Sequence, residues 1–422
     1  MKKITLAIIT LAFFTGLFLS CSKKQNGEAE FKPRLATDTK CQIRVVGNYK
    51  NFEALESEFD RFNEFYPNVE FSYIYLDNYK ATIKSALASD SAPDIFMNFF
   101  WMLDKPNYKE VFDCAEDMSD EEKLGFNLST IQRQLIDQTS DGKIPMIPVL
   151  TASYGMMVNE DLFKKEGLSV PLEYEQLITT CKKLKEAGYK SPIMAYDDTF
   201  MVLPMVFAYF CKSIQKMPGS VALLNKLDPS AGQYLRPSLE WTQAFMKEGL
   251  IDFEECHTLK DKYNDVILRF FEGNIPIMLC HADTVSGTLK RESQSNAFMN
   301  NPFEYSFYPF PAENNCSDFV NQVSVAFSVN KNSKNLEMAN EFMRFLVRTE
   351  ELNNLAKIKR LITVSTDYSV DEIYEPFSKS NSIYLEEIGL MDNAIAQMRK
   401  AVYQVMIGEM TVEQAMANYG NF

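Results

Sequence analysis

The sequence contains few of the residues on which enzymes and metal sites depend. Histidine occurs only twice in 422 residues, at His257 and His281, so a zinc site built on clustered histidines is not expected. The chain also lacks a G-x-S-x-G elbow, a glycine loop of the kind that cradles phosphate, and a dinucleotide-binding fingerprint. These absences predict a protein that is not an enzyme and that uses no cofactor and no metal.

Cysteine is present but follows no recognisable pattern. Apart from Cys21, which is treated below, the cysteines are an odd, scattered set without a C-x-x-C pair. Such a set predicts neither a zinc site nor a disulfide framework, and free thiols are the expected state. The set is Cys41, Cys114, Cys181, Cys211, Cys256, Cys280 and Cys316.

Basic residues are outnumbered by acidic ones. The chain has 43 Lys and Arg against 57 Asp and Glu, a formal charge of −14. Nucleic acids and anionic lipid surfaces require basic patches, so the balance argues against both as binding partners. It places no restriction on neutral ligands.

The only long apolar run lies at the amino terminus. Two lysines precede the run Ile4–Leu19, and small and polar residues follow it. This order predicts a signal peptide over residues 1–20. The alternative is an uncleaved membrane anchor, but the run is shorter than the roughly 20 apolar residues that a spanning helix needs.

Cys21 directly follows this run. A cysteine at that position resembles the lipobox of bacterial lipoproteins, in which it is acylated and becomes the first mature residue. The stretch Phe18–Cys21 departs from the commonest lipobox, which prefers leucine three residues before the cysteine and a small residue two before it. Several acyl chains would anchor the protein stably. We therefore expect a lipid anchor and a flexible tether over residues 21–40, with contact to the membrane through the lipid alone.

Beyond residue 40 the sequence alternates between strand and helix patterns. Strand candidates at 42–47, 69–75 and 94–97 are separated by helix candidates at 52–65 and 81–88. This alternation predicts an α/β fold with a parallel sheet covered by helices. The chain is longer than the roughly 250–300 residues at which single cores stop growing, so two lobes are expected.

Five stretches match the landmarks of a known family in the family's order. Together they resemble the bacterial extracellular solute-binding proteins that serve sugar ABC importers, the group that contains the maltose-binding proteins. The stretches are 43–48, 86–95, 155–168, 271–279 and 327–335.

The resemblance implies a type II fold, in which two α/β lobes joined by a hinge close on a ligand in the cleft. Transferred to this chain, lobe one is residues 41–149 with 307–335, and lobe two is residues 150–306 with 336–422. The implied function is capture of a small polar ligand, a mono- or oligosaccharide, and its delivery to the permease subunits of an ABC importer. The protein is then an exported, lipid-anchored monomer.

Two other functions remain open for the same fold. One is a surface lipoprotein used for adhesion or for presenting ligand to a sensor. The other, less favoured, is an exported carbohydrate-active enzyme.

Ligand sites on parallel sheets lie beyond the carboxyl ends of the strands. The residues that follow the first and third strands are therefore candidate ligand contacts: Asn48, Asn98, Phe99, Phe100 and Trp101. Aromatic faces cover the C–H patches of sugars, and planar amides bind adjacent hydroxyls. The alternative for the aromatic residues is a buried turn.

Further candidates come from the resemblance. Tyr154 lies at the first crossing between the implied lobes, and Asp198 and Phe200 match a cleft loop of lobe two. Gln322 replaces a glycine common near the hinge, which adds an amide within reach of a ligand. Asp198 could equally be a solvated loop carboxylate.

His281 and Asp283 occupy a position where the family usually stacks a tryptophan on the sugar. Asp283 stands at the tryptophan position, which suggests a polar contact instead of stacking. For His281 the alternative is a structural histidine whose hydrogen bonds are satisfied within the protein.

The lipid anchor gives a direct prediction. Cys21→Ala should abolish acylation, so the exported protein should no longer partition into the detergent phase of a phase-separated extract. Cys41→Ala is the control and should still partition there. A Cys21→Ala protein found wholly in the detergent phase would show that the lipoprotein assignment is wrong.

Overall fold

The computed structural model describes residues 30–422 except 104, 137, 140, 197, 313–316, 368–370 and 379. Of residues 198–201, 378 and 381 it describes the backbone alone. The chain divides into residues 1–32 and residues 33–422. Everything below concerns the second unit. The predicted signal peptide, Cys21 and Cys316 lie outside the described residues.

Within the described residues, eleven strands form one sheet. Its main path runs β2-β1-β3-β9-β4-β6-β5, while β7 and β10 pair with β4, and β8 and β11 pair with β9. The strands are β1 (Cys41–Gly47), β2 (Val69–Tyr75), β3 (Ile95–Asn98), β4 (Ile147–Asn159), β5 (Ile193–Met194), β6 (Ile277–His281), β7 (Tyr305–Tyr308), β8 (Phe310–Pro311), β9 (Ser317–Val329), β10 (Ile362–Thr363) and β11 (Asn381–Tyr384).

Helices cover the sheet. In the first part of the chain they are α1 (Glu53–Asn63), α2 (Tyr79–Leu87), α3 (Lys109–Asp113), α4 (Glu121–Leu124), α5 (Glu160–Lys165), α6 (Tyr174–Glu186), α7 (Asp198–Ile214), α8 (Ser220–Asn225), α9 (Arg236–Lys247) and α10 (Phe253–Thr258). They continue with α11 (Leu268–Phe270), α12 (Ala282–Ser286), α13 (Thr288–Glu292), α14 (Asn296–Asn300), α15 (Leu336–Leu346), α16 (Thr349–Lys359), α17 (Glu375–Ser378), α18 (Leu385–Ile388), α19 (Asp392–Met406) and α20 (Val412–Ala417).

Single-turn 3-10 helices and one π-helical segment connect these elements. They lie at Phe100–Met102, Pro106–Tyr108, Leu128–Thr130, Arg133–Leu135, Pro229–Leu235 and Glu372–Tyr374, with the π-helix at Lys262–Ile267. No helix among the described residues is long and apolar enough to cross a membrane.

The predicted parallel sheet is confirmed. β1 pairs in parallel with β2 over its whole length and with β3 near its end. Helix α1 buries Leu55, Phe59 and Phe62, which share one face at helical spacing. Asn51, whose residue type and place before the helix predict a cap, donates its amide to the Glu53 carboxylate at 2.8 Å, and Phe52 occupies the cap position of α1.

Two long antiparallel strands, β4 and β9, hold the sheet together. Each has thirteen residues, and β4 is buried throughout. At one end β9 pairs with β3, and at the other β4 pairs with β6 and β7. The register between β4 and β9 shifts on either side of Leu150, close to Pro148. Bulges of this kind bend a strand, so the sheet changes direction where these strands cross.

The crossing divides the sheet into two halves. We name the part built on β1, β2 and β3 the first half and the part built on β5, β6, β7 and β11 the second half. The second half has its own core, in which Trp241 is 5% exposed, as its spacing with Phe245 predicted.

Helices α15 and α16 pack on the first half. Phe342 of α15 contacts the rings of Phe59, Phe62 and Phe71 at centroid distances of 4.9 to 5.5 Å. On α16, Asn354 donates its amide to the buried Glu58 of α1 at 2.5 Å. These contacts join both helices, which the expected boundary placed in lobe two, to the first half of the sheet.

The apolar pattern over residues 388–407 predicts one long helix, and the structure divides this segment. Gly389 adopts φ +73°, a conformation that ends α18, and α19 begins only at Asp392. The last helix, α20, begins with the predicted capping box of Thr411 and Gln414.

Six cysteines lie within the described residues, and all are free thiols. Cys181, Cys211, Cys256 and Cys280 are buried, whereas Cys41 and Cys114 are half-buried.

The packing of α15 gives a stability prediction. Phe342 is 1% exposed, so Phe342→Ala should lower the free energy of unfolding by about 3–5 kcal/mol, through lost burial and the cavity left behind. Urea denaturation measures this. Leu172, which is 50% exposed, supplies the control Leu172→Ala, with an expected change within about 0.5 kcal/mol. Equal losses in the two variants would contradict the packing of α15 on α1.

Candidate functional site

The two halves meet beside the crossing of β4 and β9. The carboxyl ends of β1 and β3 face this region from the first half, and the carboxyl end of β6 faces it from the second half. Open α/β sheets bind ligands beyond these strand ends. We name the region the junction and define it by Tyr49, Ser324 and Lys359 from the first half, and by Lys262, His281, Asp283 and Gln322 from the second.

His281 ends β6 and is held on several sides. Its Nδ1 lies 3.3 Å from the backbone N–H of Asp283 and 3.2 Å from the Asp283 carboxylate. Its Nε2 lies 3.2 Å from the amide nitrogen of Gln322, and its ring packs on Tyr154 at 4.6 Å between centroids. The side chain is almost fully buried. This geometry favours a histidine that positions Asp283 and Gln322 over one that contacts ligand.

Asp283 is the partly open carboxylate of the junction. Its side chain is 29% exposed, and the Lys262 ammonium lies 3.8 Å from one carboxylate oxygen. Burial alone would raise the pKa of Asp283. The charge of His281 and its hydrogen bond, with the charges of Lys262 and Lys359, outweigh burial and hold the pKa well below its usual range. Asp283 is therefore ionised at neutral pH and can accept hydrogen bonds from hydroxyl groups.

Tyr49 and Lys359 form the facing wall on the first half. The Lys359 ammonium lies 4.3 Å from the centre of the Tyr49 ring, a cation–π contact. The Tyr49 hydroxyl lies 3.4 Å from Ser324 Oγ, and the backbone N–H of Tyr49 donates to the Tyr73 hydroxyl at 3.1 Å. Burial, followed by the charge of Asp283, raises the pKa of Tyr49, so its hydroxyl stays neutral.

The predicted aromatic cluster lies after β3 and is half-buried. Phe99 and Trp101 stack at 5.7 Å between centroids and 20° between planes. The Lys80 and Lys105 ammonium groups lie 4.3 and 5.4 Å from the centre of the Trp101 ring. Lys105 also pairs at 2.6 Å with Asp392, the first residue of α19. The cluster thus touches an element of the second half through Lys105.

The two asparagines predicted as ligand contacts differ. Asn98 is fully buried, donates to Ser328 Oγ at 3.1 Å and accepts the backbone N–H of Phe99 at 3.0 Å. These bonds engage both ends of its amide, so Asn98 shapes the turn into the aromatic cluster. Asn48 is exposed at the end of β1, where a ligand could contact it.

The remaining predicted residues are placed as follows. Tyr154 is buried beside His281, and burial raises its pKa to about 12. Gln322 is half-buried at the junction, and Phe100 is half-buried in the first turn after β3. The side chains of Asp198 and Phe200 lie outside the described residues. Their backbone begins α7 and does not form the expected loop.

Sequence reasoning did not select the lysines as ligand contacts, and of the segment 48–50 after β1 it selected only Asn48. Tyr49, Lys80 and Lys105 follow the ends of β1, β2 and β3, so the strand-end rule that selected Asn48 and Trp101 also selects them. The strand-end rule does not select Lys359, because this residue is the last of helix α16 and does not follow a strand.

Glu386, on helix α18, contacts the backbone of β9. Its Oε1 accepts the backbone N–H of Val323 at 2.8 Å, just past the point where β11 stops pairing with β9. Its Oε2 is buried and has no partner within the described part of the chain. Burial is the largest cause that raises the pKa of Glu386, from 4.5 to about 7, and the nearby charge of Glu387 adds to it.

No metal centre is formed by the part of the chain that the structure describes, since no three His, Cys, Asp or Glu side chains are grouped to hold an ion. What the junction offers a ligand is a set of aromatic faces, hydroxyl and amide groups, and a few fixed charges. Such a set suits reversible binding of a polar molecule.

The fold matches solved structures of solute-binding proteins. Bacillus subtilis binding protein MsmE, in an open conformation, matches with a TM-score of 0.69 and 15% identity, over 90% of this chain and 96% of that one. A sugar transporter protein from Bacillus licheniformis in complex with stachyose matches with a TM-score of 0.63 and 16% identity, over 90% of this chain and 98% of that one. A probable secreted solute-binding lipoprotein from Streptomyces coelicolor matches with a TM-score of 0.70 and 12% identity, over 90% of this chain and 97% of that one. The fold is therefore the type II fold of two-lobe solute-binding proteins.

The family model of bacterial extracellular solute-binding proteins matches residues 59–379. The chain belongs to this family, as the resemblance implied. No curated protein sequence matches it significantly. The family and its structural neighbours are binding proteins.

The pKa of Glu386 gives a prediction about stability and pH. Because the folded protein holds this proton more tightly than the unfolded chain, stability falls as the pH rises from about 4.5 to about 7. Glu386→Gln keeps an acceptor for Val323 and removes the charge. At pH 8 it should raise the free energy of unfolding by about 2 kcal/mol, with little change near pH 4.5.

Chemical denaturation at both pH values measures the effect, with Glu387→Gln on the exposed side of the same helix as the control. A Glu386→Gln variant whose gain is the same at pH 4.5 and pH 8 would show that the carboxylate does not titrate in this range.

Proposed function

We propose that this protein is the solute receptor of an ABC importer, anchored by lipid outside the cell membrane, and that it captures a saccharide by closing its lobes. The family membership supports the transport role. The observation that carries the proposal is that Lys105 of the first lobe pairs at 2.6 Å with Asp392 of the second, while the charge of Asp283 in the second lobe raises the pKa of Tyr49 and counters the lowering of the Lys359 pKa in the first. Side chains of the two lobes thus approach one another beyond the strand ends, where closure traps a ligand.

The division into lobes follows from the pairing of the strands. We assign residues 33–149 and 325–361 to lobe one, and residues 154–320 and 366–422 to lobe two. The crossings are the short segments between them. Two features support moving the expected boundaries: α15 and α16 pack on α1, and β7 pairs with β4 over Met156–Asn159.

The expected tether also becomes shorter in this proposal. The backbone N–H groups of Arg34 and Leu35 donate to the Tyr66 hydroxyl at 3.1 Å. Arg34 N–H also donates to Glu341 at 2.9 Å. We therefore end the tether at residue 32 and begin lobe one at Pro33. A secreted lipoprotein among the structural neighbours supports the lipid anchor at Cys21.

The ligand class rests on the chemistry of the junction and on the neighbours. One solved neighbour holds stachyose, an oligosaccharide. In this chain, Trp101 and Tyr49 offer aromatic faces, while Asp283 and Gln322 offer acceptors and donors for hydroxyl groups. We assign the protein a binding role without catalysis.

The test is binding coupled to closure. A thermal-shift screen of stachyose, raffinose and other saccharides should reveal stabilisation, because ligand at about 100 times its Kd adds about 2.7 kcal/mol to the folded state. Solution scattering with the best ligand should then give a smaller radius of gyration than the ligand-free protein gives, as closure requires. Amino acids serve as the control ligands.

Two results would contradict the proposal. One is the absence of stabilisation by any saccharide. The other is an unchanged scattering curve when calorimetry shows that the site is saturated.

A further inference from the structure

Lys359 is a half-buried ammonium group without a hydrogen-bond acceptor among the described residues. Its Nζ rests on the faces of Tyr49 and Phe52, 4.3 and 5.8 Å from the ring centres. An ammonium removed from water is costly unless it is paired or hydrogen-bonded. The pKa of Lys359 is lowered, first by burial, in keeping with that cost.

The nearby carboxylates make their closest contacts with groups other than Lys359. Asp283 lies 3.2 Å from His281 Nδ1 and 3.8 Å from Lys262 Nζ. Glu53 accepts the side-chain amide of Asn51 at 2.8 Å. Lys262 adds a second positive charge next to Lys359. The junction therefore presents two ammonium groups whose hydrogen-bonding capacity the described residues do not use up.

A second, independent lysine lies on the aromatic cluster. Lys80 covers the Trp101 ring at 4.3 Å, and no carboxylate among the described residues lies within 4 Å of it. Phe99 stacks on the same indole. A neutral sugar that stacks on Trp101 must displace the Lys80 ammonium from the ring, and it offers the ammonium no charged partner in exchange. A sugar that carries an anion can draw the ammonium off the ring and pair with it.

Building on the proposed function, we propose that the captured saccharide is acidic: it carries a carboxylate, sulfate ester or phosphate ester that binds between Lys359 and Lys262 when the lobes close. The anion gives Lys359 the acceptor that it lacks in the protein. Lys80 contacts a second acidic group, or the same one in a shorter ligand. Asp283 holds Lys262 and His281 in position and accepts a hydroxyl of the sugar.

The test uses pairs of ligands that differ only in the acidic group. Trigalacturonate is compared with its carboxyl-reduced counterpart, a sulfated disaccharide with its desulfated form, and a sugar 6-phosphate with its parent sugar. We expect at least one acidic member to bind at least tenfold more tightly than its neutral partner in titration calorimetry. The pair that shows this identifies the acidic group.

Lys359→Met should reduce that ratio to within twofold, because the variant keeps apolar contact with Tyr49 and loses the charge. Lys357→Met, on the exposed side of the same helix, is the matched control and should leave the ratio unchanged. If Lys359→Met does not fold, as judged by circular dichroism, Lys262→Met takes its place with the same expected loss.

The outcomes separate this inference from the proposed function. Neutral members that bind as tightly as their acidic partners overturn the inference and leave saccharide capture standing. A ratio that survives both Lys359→Met and Lys262→Met overturns the assigned anion site. Failure of every saccharide, acidic or neutral, overturns the proposed function and this inference with it.

Discussion

The antiparallel pairing of β4 with β9 is the constraint on which the rest of the structure depends. At one end of this pair β3 joins the sheet by pairing with β9, and at the other end β6 joins it by pairing with β4. The register between β4 and β9 therefore fixes the position of β3 relative to β6. The shift around Leu150 bends the pair between those ends. In the proposed closure, a bend confined to a few residues would let the lobes move as bodies while every other strand keeps its partners. Tyr154, Gln322 and Ser324 lie on or next to this segment and therefore sit at the point of least displacement.

The groups at the junction set how costly closure is without ligand. Lys359 rests on Tyr49 of the same lobe, a contact weaker than a hydrogen-bonded ion pair, so its ammonium is not fully compensated at the junction. The Lys105 to Asp392 pair at the other edge is exposed and contributes little. A ligand that forms hydrogen bonds with the buried groups lowers the free energy of the closed form. It shifts the population toward that form by the difference between its binding free energies for the closed and open forms.

Much of the fold could be predicted because its signals are local. The alternation of strands and helices at the start of the chain, the phenylalanine face of α1 and the capping box of α20 each follow from a few neighbouring residues. The site was predicted less completely. Asp283, Trp101 and Gln322 follow strand ends or a crossing, and their role as ligand contacts stays a prediction. Asn98 points into the sheet because its amide pairs with Ser328 of β9, a partner 230 residues away in sequence. Lys359 and Glu386 reach the central strands only through the long-range packing of their helices, which no local pattern encodes.

The buried cysteines have a consequence for life outside the cell. Burial raises the pKa of Cys181 and Cys280 to about 12 and that of Cys256 to about 11. At pH 7 a thiol with a pKa of about 12 is ionised in only about one molecule in 100,000, and the thiolate is the form that attacks disulfides and oxidants. Once folded, the protein keeps these sulfurs chemically inert in an oxidising compartment. Their vulnerable period is the interval between export and folding, so rapid folding, rather than disulfide formation, protects the chain from mispaired cross-links.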